Sequence, residues 1–483
     1  MRLRFLALII LALSLLPPGA FAAPLFAPTA QRTDPSPPFD AAMRPAFVRD
    51  VERADLPRYL LDLAIDPQAR RLSGRMRLEF RNTTGVPLRD VVLRLYQHFP
   101  PDIFGDGGDV RMDISEIVAQ GSATQGMYEA RRTVLRVPLP APVAPDESIV
   151  LSLRYSANIV SWAPRDGTFA LPAFYPMLAV WQNGWRADIT RFPDRVFAEA
   201  ALYAATITVP EGYTVVASGS TVSTATREGR TTFEVVTGPM REFAISVGRF
   251  AVARAAHDGI EVNVWHRPGI GLESAARQVA LHAAASLLSL ESRFGAYPYR
   301  ELDIHLLSAG RGFDIGAEFP GLIVILLNGR YTDETRYIVA HEVAHQWFYG
   351  MVGNDVYNEP WLDESFAQYA GVLVEEDWGG PVAAQRVYDQ QVARLAARTR
   401  QPAGLSTAQY GSWNTYYAAV YGRGAQFLHT LRGELGNEAF FGGLREYATT
   451  QRYGIATSDD IRAALERSSG RDLGPLFRRW LGR

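Results

Sequence analysis

From about 50 to 250 the apolar positions alternate with polar ones in short runs cut by turn residues. The run Arg75-Met76-Arg77-Leu78-Glu79-Phe80 stops at Asn82-Thr83-Thr84-Gly85. Val91-Val92-Leu93-Arg94-Leu95-Tyr96 precedes Pro100-Pro101, and Ala204-Ala205-Thr206-Ile207-Thr208-Val209 stops at Pro210-Glu211-Gly212. Side chains of a strand point alternately to its two faces, so these runs predict half-buried strands in a mainly antiparallel β domain. After about His257 the apolar spacing changes to three and four, with long helical patterns at Glu273 to Phe294, Ser458 to Ser468 and Leu473 to Trp480. Two strand-like segments, Leu302 to Leu307 and Leu322 to Leu327, precede a helical pattern from Tyr337 that stops at Gly350. The expected architecture is α+β and multidomain: an antiparallel β saddle or sandwich over 46–255, then a mainly helical domain over 256–483.

The N-terminus departs from both patterns. Arg2 and Arg4 precede an apolar stretch from Phe5 to Leu16, then Pro17-Pro18 and Ala20-Phe21-Ala22. Charged start, short apolar run and small residues before a cleavage point predict a signal peptide over 1–22, with the alternative an uncleaved anchor. The Pro/Ala-rich stretch 23–45, including Pro35-Ser36-Pro37-Pro38, lacks apolar periodicity and predicts a linker, with folding from near Phe47. No later segment reads as a membrane span, so no stable membrane insertion is expected after cleavage. Localisation is expected to be periplasmic or extracellular.

Cysteine is absent, which excludes disulfides and thiolate metal sites. Any metal must therefore be held by His and carboxylates. The helical pattern ending at Gly350 contains His341-Glu342-Val343-Ala344-His345. On a helix, residues four apart share a face, so His341 and His345 can reach one ion, and Glu342 lies beside its open position. Residues 346–363, eighteen in all, separate His345 from Glu364 in Trp361-Leu362-Asp363-Glu364-Ser365-Phe366-Ala367. A lone Glu is ordinarily solvated or ion-paired. Early in the helix that follows this motif, Glu364 reads as a third ligand that leaves a fourth position for water, as catalytic zinc requires. A structural zinc would normally take four protein ligands, often Cys.

Together, His341-Glu342-Val343-Ala344-His345-Gln346-Trp347-Phe348 and Trp361 to Ala367 resemble the aminopeptidase N family of gluzincin zinc metallopeptidases. The resemblance extends over about 50 to 483 and implies a saddle-like β domain, a thermolysin-like catalytic domain and one Zn2+ per chain. On that resemblance, this chain is expected to be a short form without the large helical C-terminal domain of longer relatives. By the same resemblance Glu342 is the general base and Tyr421, in Val420-Tyr421-Gly422-Arg423-Gly424, is the donor to the developing oxyanion, with Tyr416 and Tyr417 as rivals. Gly316-Ala317-Glu318-Phe319-Pro320 is similar to the family's Gly-Ala-Met-Glu-Asn signature. That implies substrate binding by Gly316, Ala317 and Glu318, with Glu318 on the free α-amine. Phe319 stands where Asn is usual and offers no polar side-chain group in its place.

The remaining composition adds exclusions. Arg supplies all the basic residues, and 49 basic against 51 acidic residues leave a formal charge of −2, so no nucleic-acid partner is expected. With 47% hydrophobic residues, 483 residues can bury more than one core. His98, His257, His266, His282, His305 and His429 have no ligand-like spacing. Phe174-Tyr175-Pro176 and Trp181-Gln182-Asn183-Gly184-Trp185 either line a cleft or pack turns. The expected function is an exported zinc aminopeptidase acting on peptides with a free N-terminus. The alternatives are a zinc endopeptidase or other small-substrate hydrolase on the same scaffold, and a non-enzymatic binding relative.

Overall fold

Alternation of side chains becomes alternation of burial in the strand Arg71–Arg81, where Leu72, Gly74, Met76, Leu78 and Phe80 face inward. It pairs antiparallel with Arg58–Asp66 on one side and Ser148–Asn158 on the other. These strands lie inside an eight-stranded sheet that is antiparallel except where Arg58–Asp66 runs parallel to Leu202–Pro210. Smaller sheets of four and three strands complete the N-terminal β region. The computed structural model describes residues 37–99, 111–159, 167–189, 195–308 and 314–482. The expected leader, and the linker as far as Ser36, lie outside the described residues.

Composition predicts a tether to about Pro45, but residues 37–44 are packed. Phe39, Ala42 and Met43 are buried, Met43 bridges to Tyr299, and Arg44 pairs with Glu291 at 2.7 Å and Asp258 at 2.6 Å. A few apolar contacts and two ion pairs anchor a segment whose sequence has no period of its own.

The hairpin Ala251–His257 and Ile260–His266 opens a five-stranded mixed sheet, continued by parallel strands Glu301–Ser308 and Leu322–Leu327. Short Ile315–Ala317 closes it as an antiparallel edge strand. Helix α1 (Glu273–Phe294) packs on the Ala251–His257 and Ile260–His266 hairpin and buries Ala276, Val279, Ala280, Ala283, Leu287 and Leu290, a three-four spacing that makes one apolar face. Full burial of Leu287 and Leu290 contributes about 2 kcal/mol each. Helix α2 (Asp333–Ala344) starts at Thr332, whose hydroxyl accepts from the Thr335 amide, with Asp333 and Glu334 favourably placed in the first turn. Helix α3 (Trp361–Val387) is buried from Trp361 to Glu375 and breaks its helical geometry at Gly380, before Pro381. Of the later helical chain, the turn Ala418–Gly424 and the helix Ala425–Thr450 contact α3.

The N-terminal β region and the helical region share one apolar cluster, which runs from Leu63 and Tyr203 through Met240 and Tyr299 to Phe348 and Phe366. No helix of the described residues is long and apolar enough to cross a membrane.

Candidate active site

Helix α2 ends at the site. His341 lies on its last turn, and His345 is the residue that terminates it. The first turn of α3 brings Glu364 opposite them. All three are buried. The His341 and His345 Nε2 atoms stand 3.0 Å apart, and Glu364 Oε2 lies 3.3 and 3.4 Å from them. Three donors about 2.0–2.1 Å from one ion at tetrahedral angles would be roughly 3.3 Å apart. Among the described residues no conventional hydrogen bond reaches Glu364 Oε2, so a buried carboxylate oxygen is left facing two imidazoles. Burial opposes its ionisation, yet hydrogen bonding and the charges of His341 and His345 hold Glu364 well below the usual carboxylate range. This donor set fits a zinc ion.

His345 Nδ1–H donates to Asp363 Oδ1 at 2.6 Å and lies 3.2 Å from the Phe348 carbonyl. That contact fixes the tautomer with the Nε2 lone pair directed to the metal position. Asp363 carries no ligand-like spacing of its own in the sequence, and its place immediately before Glu364 is the one local sign of this contact.

Glu342 is buried against the edge strand. A Cβ built on Gly316 would stand 2.2 Å from the Glu342 carboxylate, so only glycine lets strand and carboxylate approach this closely. Burial, reinforced by Glu364 and Asp363 and opposed by His345, pushes the metal-free Glu342 up to about 8. Ala317 is next along the same strand. Glu318 follows, and Glu318, Glu342 and His345 offer ligand atoms within 4.8 Å of one another. The loop after Glu318 is held by Gln346, whose Oε1 accepts from the Gly321 amide at 2.8 Å and whose Nε2 donates to the Phe319 carbonyl at 3.4 Å. Phe319 itself turns into a small apolar cluster with Ala170, Val216 and Leu322. The residue in the usual Asn position is therefore a packing group.

Tyr421 sits in a wider π-type turn, Ala418–Gly424, of the kind that often marks functional positions in helices. Its hydroxyl donates to Glu364 Oε1 and its ring lies parallel to His341 at 6.1 Å. Of its two rivals, Tyr416 is fully buried, and Tyr417 packs its ring 4.6 Å from that of Tyr421.

Other sequence candidates lie outside this group. His305 is buried between Ser246 Oγ at 2.8 Å and Thr168 Oγ1 at 3.0 Å. His98 contacts Met112, and His257 pairs with Glu291. Phe174 and Tyr175 are core residues, and Trp181 and Trp185 pack edge to face across their own turn.

Residues 321–480 match the model of the peptidase family M1 domain. Residues 321–480 thus carry the resemblance to a peptidase family M1 domain. The chain is 34% identical over 158 residues to aminopeptidase N of Lactococcus lactis subsp. lactis, covering 30% of this chain and 18% of that protein. To aminopeptidase N of Streptomyces lividans it is 25% identical over 318 residues, 59% of this chain and 36% of the relative. The chain thus spans well under half the length of these curated relatives. In fold it is similar to the M1 zinc metallopeptidase of Deinococcus radiodurans, with a TM-score of 0.68 at 22% identity, covering 88% of this chain and 94% of that one.

Proposed function

We propose that this protein is an exported zinc aminopeptidase that hydrolyses the N-terminal peptide bond of peptides. The observation that carries the reading is the position of Glu318, a carboxylate beside Glu342 and His345 where a substrate's ammonium group can end. His341, His345 and Glu364 would hold the zinc, with Asp363 orienting His345. Bound zinc supplies Lewis-acid chemistry, polarising the scissile carbonyl and making water a better nucleophile at neutral pH.

The chain's own groups divide the remaining work. Glu342 accepts the proton of the attacking water at its carboxylate and returns it to the leaving amine. Its confinement by Gly316 keeps the acceptor oxygen in one place. Tyr421 exchanges its hydrogen bond to Glu364 for one to the developing oxyanion, where a fixed donor stabilises charge as it appears. Among the described residues the edge strand Ile315–Ala317 pairs on one side only, and an extended substrate backbone can align against the other. Glu318 then sets the register by holding the free amine.

The family relatives named aminopeptidase support this reading, and a variant of the Deinococcus radiodurans enzyme was solved bound to Tyr-Ser-Ala substrate. The test is hydrolysis of aminoacyl amides, free and N-acetylated, by mature protein with zinc and after chelation. Zinc-dependent cleavage of free forms alone is the expected result. Equal cleavage of acetylated forms would replace the aminopeptidase by the endopeptidase reading. N-terminal sequencing of protein recovered from the periplasm or medium tests export, with a chain beginning at Ala23 expected.

A further inference from the structure

A bulky side chain occupies a backbone position made for glycine at the end of the metal-binding helix. Tyr349 has φ +99°, a conformation that a large side chain strongly disfavours. It belongs to the tight turn that follows His345, in which the Gly350 amide donates to the His345 carbonyl at 2.8 Å and the Tyr349 amide to the Val352 carbonyl at 2.9 Å. Strained residues persist where the surroundings over-determine them. Here the surroundings come from the β region.

Two consecutive residues grip Tyr349 at opposite ends. Arg241 Nε donates to the Tyr349 carbonyl at 2.9 Å, and the Tyr349 hydroxyl donates to Glu242 Oε1 at 2.6 Å. Arg241 is buried and also donates to the Ala198 and Gly454 carbonyls, each at 2.8 Å. A Cβ on Gly353 would stand 2.1 Å from its guanidinium carbon, so the turn leaves room for this one cation. Glu242 is 2% exposed, and among the described residues its Oε2 has no partner. A buried carboxylate is an expensive way to hold one phenol, and the catalytic steps above do not use it.

We propose that Arg241 and Glu242 form a two-point clamp on Tyr349 that positions the metal ligand His345 from the β region. The path runs through the preceding residue. Phe348 offers its carbonyl to His345 Nδ1 at 3.2 Å, beside the stronger contact to Asp363, and Tyr349 continues the chain from that carbonyl. With Tyr349 fixed at its own carbonyl and at its hydroxyl, the Phe348–Tyr349 peptide cannot rotate, and the imidazole keeps both acceptors. Groups that orient a ligating His in this way typically change metal affinity when removed. Tyr349, Glu242 and Arg241 are positioning residues, since none touches the metal position. The inference rests on the zinc-site reading above.

The test is the rate at which a chromophoric chelator removes zinc from the full mature protein and its variants. Tyr349→Phe keeps the ring and loses the hydroxyl, and Glu242→Leu loses the acceptor. Both are expected to release zinc about 10-fold faster than the parent, at the low end of the range for groups around a ligand. Glu242→Gln keeps an acceptor for the hydroxyl and is expected to restore the parent rate within about twofold. A merely structural role would lower the melting temperatures of the metal-free variants without this ordering of release rates. Unchanged release from Tyr349→Phe, with Asp363→Ala accelerated in the same assay, overturns the clamp and leaves the peptidase reading standing. Failure of the parent protein to retain zinc at all overturns both.

Discussion

Replacing Gly316 by Ala puts the smallest possible obstacle against the proposed base. The new Cβ would lie 2.2 Å from the Glu342 carboxylate carbon and oxygen, where ordinary carbon contacts begin at about 3.5 Å. Strand and carboxylate must therefore separate by roughly 1.3 Å. Neither neighbour yields easily, because Glu342 lies on the buried face of α2 and Ile315–Ala317 is hydrogen-bonded to Leu322–Leu327. A displacement of this size at a reacting group costs about 100-fold in rate, equivalent to about 2.7 kcal/mol of transition-state stabilisation. The expected phenotype of Gly316→Ala is a kcat about 100-fold lower on an aminoacyl amide. Zinc content should remain stoichiometric, since His341, His345 and Glu364 are not pushed. Gly433→Ala, where a Cβ meets nothing within 4 Å, is the matched control and should leave kcat unchanged. A Gly316→Ala enzyme within threefold of the parent, with its zinc intact, would refute the idea that this close approach fixes the base.

Tyr421→Phe should lower kcat by about 100- to 1,000-fold with little change in KM, because the lost donor acts on charge that develops only during reaction; steady-state kinetics on free aminoacyl amides decide it. Asp363→Ala removes the acceptor that orients His345 and should weaken zinc binding by about 10- to 100-fold, measured by competition with a chelator of known affinity. Glu242 is pushed up to about 7 by burial, only partly opposed by the Tyr349 hydroxyl, so its folded-state value lies above its unfolded value. The folded chain then binds the proton more tightly than the unfolded one. The corresponding stability is fully present below about pH 4.5 and lost as pH rises through about 7. Glu242→Gln should flatten the denaturation free energy over that interval, and an unchanged slope would show that Glu242 titrates normally.

The candidate metal-binding group was legible because its parts are local in sequence. His341, Glu342 and His345 lie within one helical turn or so, and Glu364 sits in a compact apolar motif that announces its own helix. The strand runs of the β region were legible for the same reason, since Arg71–Arg81 shows its alternation within a single segment. What escaped was set by contacts across the chain. The parallel pairing of Arg58–Asp66 with Leu202–Pro210 depends on residues more than a hundred positions apart. Residues 37–44 look like linker until Tyr299 and Glu291 are seen to receive them. Phe319 in a signature that usually carries Asn acquires its meaning from the cluster into which it turns. Likewise nothing near Arg241 and Glu242 in sequence announces Tyr349, and a tyrosine at φ +99° has no sequence signature of its own.

The large apolar cluster shared by both regions sets how the protein can be divided. A gene truncated between strand and helix would give one product with Tyr203 and Met240 bared and another with Tyr299 and Phe348 bared. Neither half would be soluble material for study. Domain shuffling, tag insertion and split-reporter designs therefore belong in exposed turns such as Glu228-Gly229, where the chain already reverses at the surface. For heredity and for the laboratory alike, the described chain from Pro37 onward behaves as one part.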